Sequence, residues 1–102
     1  MYAIQPRGHN EFHTPFDDEE VTWTGTASAG LDPTKVALCK IVTLRFISGD
    51  GRIRMSGSAA TESEGVPVFS GDIELMSKFE AERLSGIRSG VTNLVAWATY
   101  YR

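Results

Sequence analysis

Cysteine is almost absent from this chain. Cys39 stands alone among 102 residues, so no intrachain disulfide can form and the core must hold without a covalent staple. A lone thiol also suits a reducing compartment. Long apolar runs are missing: none approaches the ~20 residues that span a bilayer. Met1 to Arg7 lack the basic-then-apolar pattern of a secretory signal. These absences lead to the expectation of a soluble, cytoplasmic protein with no membrane contact.

Signatures of chemistry are missing as well. Gly49-Asp50-Gly51 is followed by no Gly-Lys-Ser/Thr, so it reads as a turn and not as a phosphate loop. No Gly-x-Ser-x-Gly nucleophile elbow and no His-Glu-x-x-His pair occur. No catalytic residue, cofactor or metal site is expected, and the chain reads as a non-enzyme.

What is present suits a globular chain. Hydrophobic residues make up 41% and charged residues 23%, near ordinary averages. One domain over residues 1–102 is expected, burying about 65% of the surface its unfolded chain exposes. The net charge of −3 argues mildly against a dedicated nucleic-acid binder. Its distribution is segregated. Residues 1–34 carry six acids and one base, and 35–54 carry five bases and one acid. Residues 55–82 again carry six acids and one base, and 83–102 carry three bases and no acid. Such blocks either compensate within the fold or form separate charged faces.

The fold expected is α+β: an antiparallel sheet of four or five strands with one helix, starting near Lys78, packed on it. Residues 6–20, with two prolines, a glycine and the acidic run Asp17–Glu20, read as a loop. Residues 21–27 read as a strand, and 28–35 as a connector turning at Asp32-Pro33. Residues 36–47 and 52–59 read as a hairpin turning at Asp50-Gly51, which suits a type I′ turn. Residues 66–75 read as another strand. Ser77 and Glu80 form a capping box that starts a helix at Lys78. The remainder fits two descriptions. Leu84, Ile87, Val91, Leu94, Ala98 and Tyr101 recur at helical spacing, which slightly favours one long amphipathic helix. Gly86, Gly90 and the strand formers of 91–101 favour a strand.

The expected hairpin sets Arg45, Arg52 and Arg54 on one face. Guanidinium groups pair bidentately with carboxylate or phosphate, so that face is a candidate for an anionic partner. The alternative is pairing with the chain's own acids, such as Asp72 and Glu74. Trp97, Tyr100 and Tyr101 form a second candidate surface, since aromatics concentrate at binding hot spots as well as in cores. His9 and His13 lie four apart, but Gly8 and Pro15 oppose the helix that would bring them onto one face for a metal. Cys39 reads as a buried, inert thiol.

The function expected from these features is a non-enzymatic protein-binding or assembly module with a protein partner or self-association into a homo-oligomer. A subunit of a structural assembly and a small inhibitor of another macromolecule fit equally. Compact proteins of this kind are common among phage and prophage products. The alternative is binding of nucleic acid or a nucleotide through the arginine-bearing hairpin face.

Overall fold

The computed structural model describes residues 13–102. Its architecture is mostly antiparallel sheet, divided between two sheets. Strands β1 (Pro15–Trp23), β2 (Ile41–Ser48), β5 (Ile73–Ser77) and β7 (Leu94–Tyr101) form a four-stranded sheet in the order β1-β7-β2-β5. Strands β3 (Asp50–Arg54), β4 (Val66–Phe69) and β6 (Ser85–Arg88) form a three-stranded sheet in the order β4-β3-β6. Two short helices, α1 (Pro33–Leu38) and α2 (Lys78–Ala81), complete the fold. The expectation of one sheet and one helix is corrected on both counts.

Alternation along the strands explains the larger sheet. In β2, Val42, Leu44 and Phe46 are buried; in β7, Leu94, Ala96, Ala98 and Tyr100 are buried. Period-two burial of this kind is what a sheet with one covered face requires. Residues 94–101 are therefore strand. The helical spacing seen in sequence had counted Val91 toward an apolar stripe, and Val91 is 93% exposed. The core runs between the two sheets: Ile53 and Val68 of the smaller one join Val21, Trp23, Val42, Leu44 and Phe46 of the larger, with Val36, Ala81 and Leu84 from in and beside the helices.

The expected Asp50-Gly51 hairpin does not form, because β2 and β3 lie in different sheets. Asp50 and Gly51 are themselves strand residues, paired with Phe69 and Val68. The chain changes sheets at Gly49, which has φ +77°. A Cβ there would lie 2.2 Å from the Asn93 carbonyl oxygen, so only glycine fits this corner. A type I′ turn needs two left-handed residues in succession, and here one suffices to turn a corner. The expected strand 66–75 divides in the same way. β4 and β5 belong to different sheets, with Gly71 (φ +98°) between them.

Two local signals also read differently in three dimensions. Asp32-Pro33 is a helix start rather than a simple turn: the Asp32 carboxylate accepts from the backbone N–H of Thr34 (2.8 Å) and Lys35 (3.4 Å), and Pro33 occupies the first helical turn. This is why the β-branched run from Val36 does not begin a strand until Ile41. The described part of the expected loop 6–20 is mainly strand: Asp17–Glu20 lie in β1, paired with Trp97–Tyr100 of β7. The capping box forms as expected, with Ser77 Oγ accepting from Glu80 N–H (3.2 Å) and Glu80 Oε1 accepting from Ser77 N–H (2.9 Å). The helix it starts lasts four residues. The chain must then be extended at Gly86, which lies against Trp23 so closely that a Cβ would meet the indole nitrogen at 2.7 Å.

Candidate partner-binding surface

The pairing register defines the outer face of the larger sheet. Ile73, Arg45, Trp97 and Glu20 form one row across β5, β2, β7 and β1. Leu75, Thr43, Thr99 and Asp18 form the next. Ile73 is 65% exposed, Leu75 61% and Trp97 41%, while Ile41, Val95 and Tyr101 on the same face are half-buried. The face is thus apolar toward β5, sets Arg45 and Trp97 opposite each other in register at its centre, and turns acidic toward β1. The smaller sheet covers the opposite side. Large exposed apolar groups standing together mark interaction sites more often than those scattered singly.

Arg45, Arg52 and Arg54 do not share a face, because the hairpin that would have joined them is absent. Arg45 is exposed on the larger sheet. Arg52 and Arg54 lie on β3 and are occupied by the loop that follows it. Arg52 Nε donates to Glu62 O (3.0 Å) and its Nη1 to Gly65 O (2.9 Å). Arg54 Nη1 donates to Ala59 O (3.4 Å) and lies 3.8 Å from a Glu64 carboxylate oxygen. Asp72 and Glu74, the acids expected to pair with this set, take no part in these contacts. Arg52 and Arg54 therefore pin a loop, and the anion-binding reading loses the shared face on which it rested.

The aromatic set divides as well. Trp97 and Tyr101 face outward, but Tyr100 is fully buried. Its hydroxyl donates to Glu19 Oε2, which also accepts from the Asp32 backbone N–H at 3.1 Å. Burial, together with that hydrogen bond to a carboxylate and the carboxylate's charge, pushes the Tyr100 phenol far above its ordinary range. Tyr100 is a core residue that ties β7 to β1 and to the start of α1. Parity within 94–101 would have separated it from Trp97 and Tyr101 had the segment been read as a strand.

The remaining candidates carry little chemistry. His9 lies outside the described residues. His13 is half-buried, and its Nδ1 is shielded without a hydrogen-bond partner. Among the described residues, no group of three His, Cys, Asp or Glu side chains is placed to hold a metal. Cys39 is buried, its thiol donates to Val36 O (3.1 Å), and burial pushes its pKa up, away from the thiolate a nucleophile needs. A shallow apolar groove lies between α1 and α2, lined by Leu31, Pro33, Val36 and Ala81, with Glu82 at its rim as the one charged group. It offers no acid–base pair.

Sequence reasoning missed Ile73 and Leu75 as surface residues. In β5 the buried side chain is Met76, and Ile73 and Leu75 point to the opposite side of the strand; Phe69 in β4 is exposed as well. No helix among the described residues is long and apolar enough to cross a membrane. Comparison with protein-family models, with curated proteins and with solved structures found no match.

Proposed function

We propose that this chain is a non-enzymatic protein-binding or assembly module, and that it engages its partner through the outer face of the larger sheet. The observation that carries the reading is the row Ile73–Arg45–Trp97–Glu20, in which an exposed tryptophan stands beside an exposed arginine with apolar groups on one side. Trp and Arg are the residue types that dominate binding hot spots, because each combines large contact area with a directional polar group. The two surfaces expected separately from sequence, one cationic and one aromatic, meet here in Arg45 and Trp97.

The test is capture of partners from the native source with mass determination, run in parallel with Trp97→Ala and Arg45→Glu variants. Sedimentation over a concentration range detects self-association in the same preparations. A partner, or a second copy, that is retained by the wild-type chain and lost by both variants supports the reading. Retention undiminished in both variants would overturn it.

A further inference from the structure

A sheet edge is a row of unpaired backbone donors and acceptors, and proteins generally blunt such edges. Among the described residues there are four of them, at β1, β5, β4 and β6. Three are blunted. The β1 edge carries the acidic run Asp17–Glu20, and Lys35 Nζ caps its Asp18 carbonyl at 3.2 Å. The β4 edge is four residues long and contains Pro67. The β6 edge is covered by residues 24–28: Ser28 and Gly86 exchange hydrogen bonds (3.1 and 2.8 Å), and Arg88 N–H donates to Thr24 O (3.0 Å).

Among the described residues, the β5 edge has no covering segment. β5 packs against β2 and α2. Phe46 N–H donates to Asp72 O, and Lys78 N–H donates to Lys40 O, each at 2.9 Å. These bonds bracket the register from Arg45↔Ile73 to Ile41↔Ser77. Antiparallel pairs alternate between bonded and non-bonded, so Glu74 and Met76 face β2 with their backbone groups, and Ile73 and Leu75 direct theirs to the open side. The same two residues hold their exposed side chains on the outer face.

Charge decides what pairs there. On the inner side of β5, burial and the charges of Asp72 and Glu80 push the Glu74 carboxyl up, and among the described residues Glu74 has no ion-pair partner. A second copy fits poorly. Pairing Ile73 with Leu75 of a second copy sets two Glu74 side chains directly opposite, which is destabilising. Pairing Leu75 with its own counterpart requires the Ser77 N–H, which Glu80 already holds at 2.9 Å.

We propose that β5 accepts a strand from a partner protein, an extended segment that sets apolar side chains beside Ile73 and Leu75 and a Lys or Arg opposite Glu74. Main-chain hydrogen bonds supply the pairing, and alternate side chains supply the selection. The proposal rests on the partner-binding reading above and names the partner's chemistry at one border of the same face.

The probes are acetyl-Val-Lys-Val-Lys-Val-amide and its twin with Glu in place of Lys, titrated to millimolar concentration into the full chain. Amide hydrogen exchange is read residue by residue. The Lys peptide is expected to slow exchange at Ile73 and Leu75 and to bind about fivefold more tightly than its twin. Glu74→Lys is expected to reverse that preference. Leu75→Pro removes an outward N–H without removing a bond to β2, and is expected to abolish the response; Glu74→Lys carries the test if Leu75→Pro does not fold. Unchanged exchange at both residues, or the same preference in Glu74→Lys, overturns the proposal. So does slow exchange that develops without peptide as protein concentration rises, because the occupant is then a second copy. A partner captured by the wild-type chain and retained undiminished by folded Leu75→Pro defeats the edge alone, whereas absence of any partner defeats the broader reading.

Discussion

Arg45 stands directly opposite Trp97 across the β2–β7 pair, on the face of the larger sheet turned away from the core. Neither residue belongs to the buried cluster. Trp97→Ala is expected to weaken partner binding by about thirtyfold, the scale of a hot-spot truncation of about 2 kcal/mol. Its free energy of unfolding in denaturant should stay within about 0.5 kcal/mol of wild type, as for other surface changes. Titration of the captured partner, beside denaturant unfolding, reads both quantities. A large stability loss with binding unchanged would place Trp97 in the scaffold instead.

Trp23 is held between two glycines. A Cβ at Gly86 would lie 2.7 Å from its indole nitrogen, and one at Gly30 would lie 2.4 Å away, with Gly30 also at φ +80°. Gly86→Ala must displace a fully buried ring, and overpacking of this kind costs about 1–3 kcal/mol. For a chain of this size that lowers Tm by about 4–8 °C per kcal/mol. Gly30→Ala should cost more, since it adds backbone strain to the same clash. Thermal unfolding followed by Trp fluorescence checks both the ranking and the displacement of the ring.

Tyr100 gives the fold a definite alkaline limit. Its phenol pKa is raised in the folded chain, so above the ordinary value near pH 10 the unfolded chain releases a proton that the folded chain retains. Stability contributed through this group is intact below pH 10 and falls as pH rises beyond it. Tyr100→Phe removes a hydrogen bond to a carboxylate and should cost about 1.5–3 kcal/mol at neutral pH. It should also flatten the decline above pH 10. Denaturant unfolding at pH 7, 9, 10 and 11 would show this, and parallel pH profiles for the two proteins would contradict it.

Glu74 works in the opposite pH range. Burial, Asp72 and Glu80 raise its pKa in the folded chain, so the folded state holds this proton more tightly than the unfolded state does. Between the unfolded and folded pKa values stability falls as pH rises, so above the ordinary carboxylate pKa this group subtracts from stability. Glu74→Gln is expected to be more stable than wild type at pH 7 and to lose that advantage below the ordinary carboxylate pKa. Paired unfolding curves at pH 7 and pH 4 measure it. An equal difference at both values would show that charge is not the cause.

The capping box at Ser77 closes a helix of four residues, too short to persist without its caps. Ser77→Ala removes the acceptor for the Glu80 N–H and should cost about 0.5–2 kcal/mol. Because the Ser77 N–H bond to Glu80 lies at the end of β5, faster amide exchange should spread from Ser77 into that strand.

Some of this fold was legible residue by residue. Ser77 and Glu80 define their own hydrogen bonds through short-range geometry, so the start of α2 followed from spacing alone. The alternation Val42–Leu44–Phe46 likewise fixes which side of β2 is buried, whatever strand lies next to it. The division into two sheets was not legible. Asp50-Gly51 has the residues of a tight turn, and nothing local distinguishes doubling back from turning a corner at Gly49. That choice is made by Asn93 and Leu94, which are distant in sequence and close enough in space to forbid any side chain at Gly49. The helix-or-strand question for 91–101 was decided similarly, by β1 and β2 offering edges on both sides of β7. The candidate surface inherits the same logic. The sequence by itself determined that the chain has three arginines between residues 45 and 54 and an aromatic C-terminus. Only the tertiary structure decided that Arg45 and Trp97 meet, that Arg52, Arg54 and Tyr100 are spent on holding the fold, and that Ile73 and Leu75 face outward. The physical reason is that strand pairing is non-local: a side chain's face depends on which strands its backbone hydrogen bonds select, and those partners lie tens of residues away.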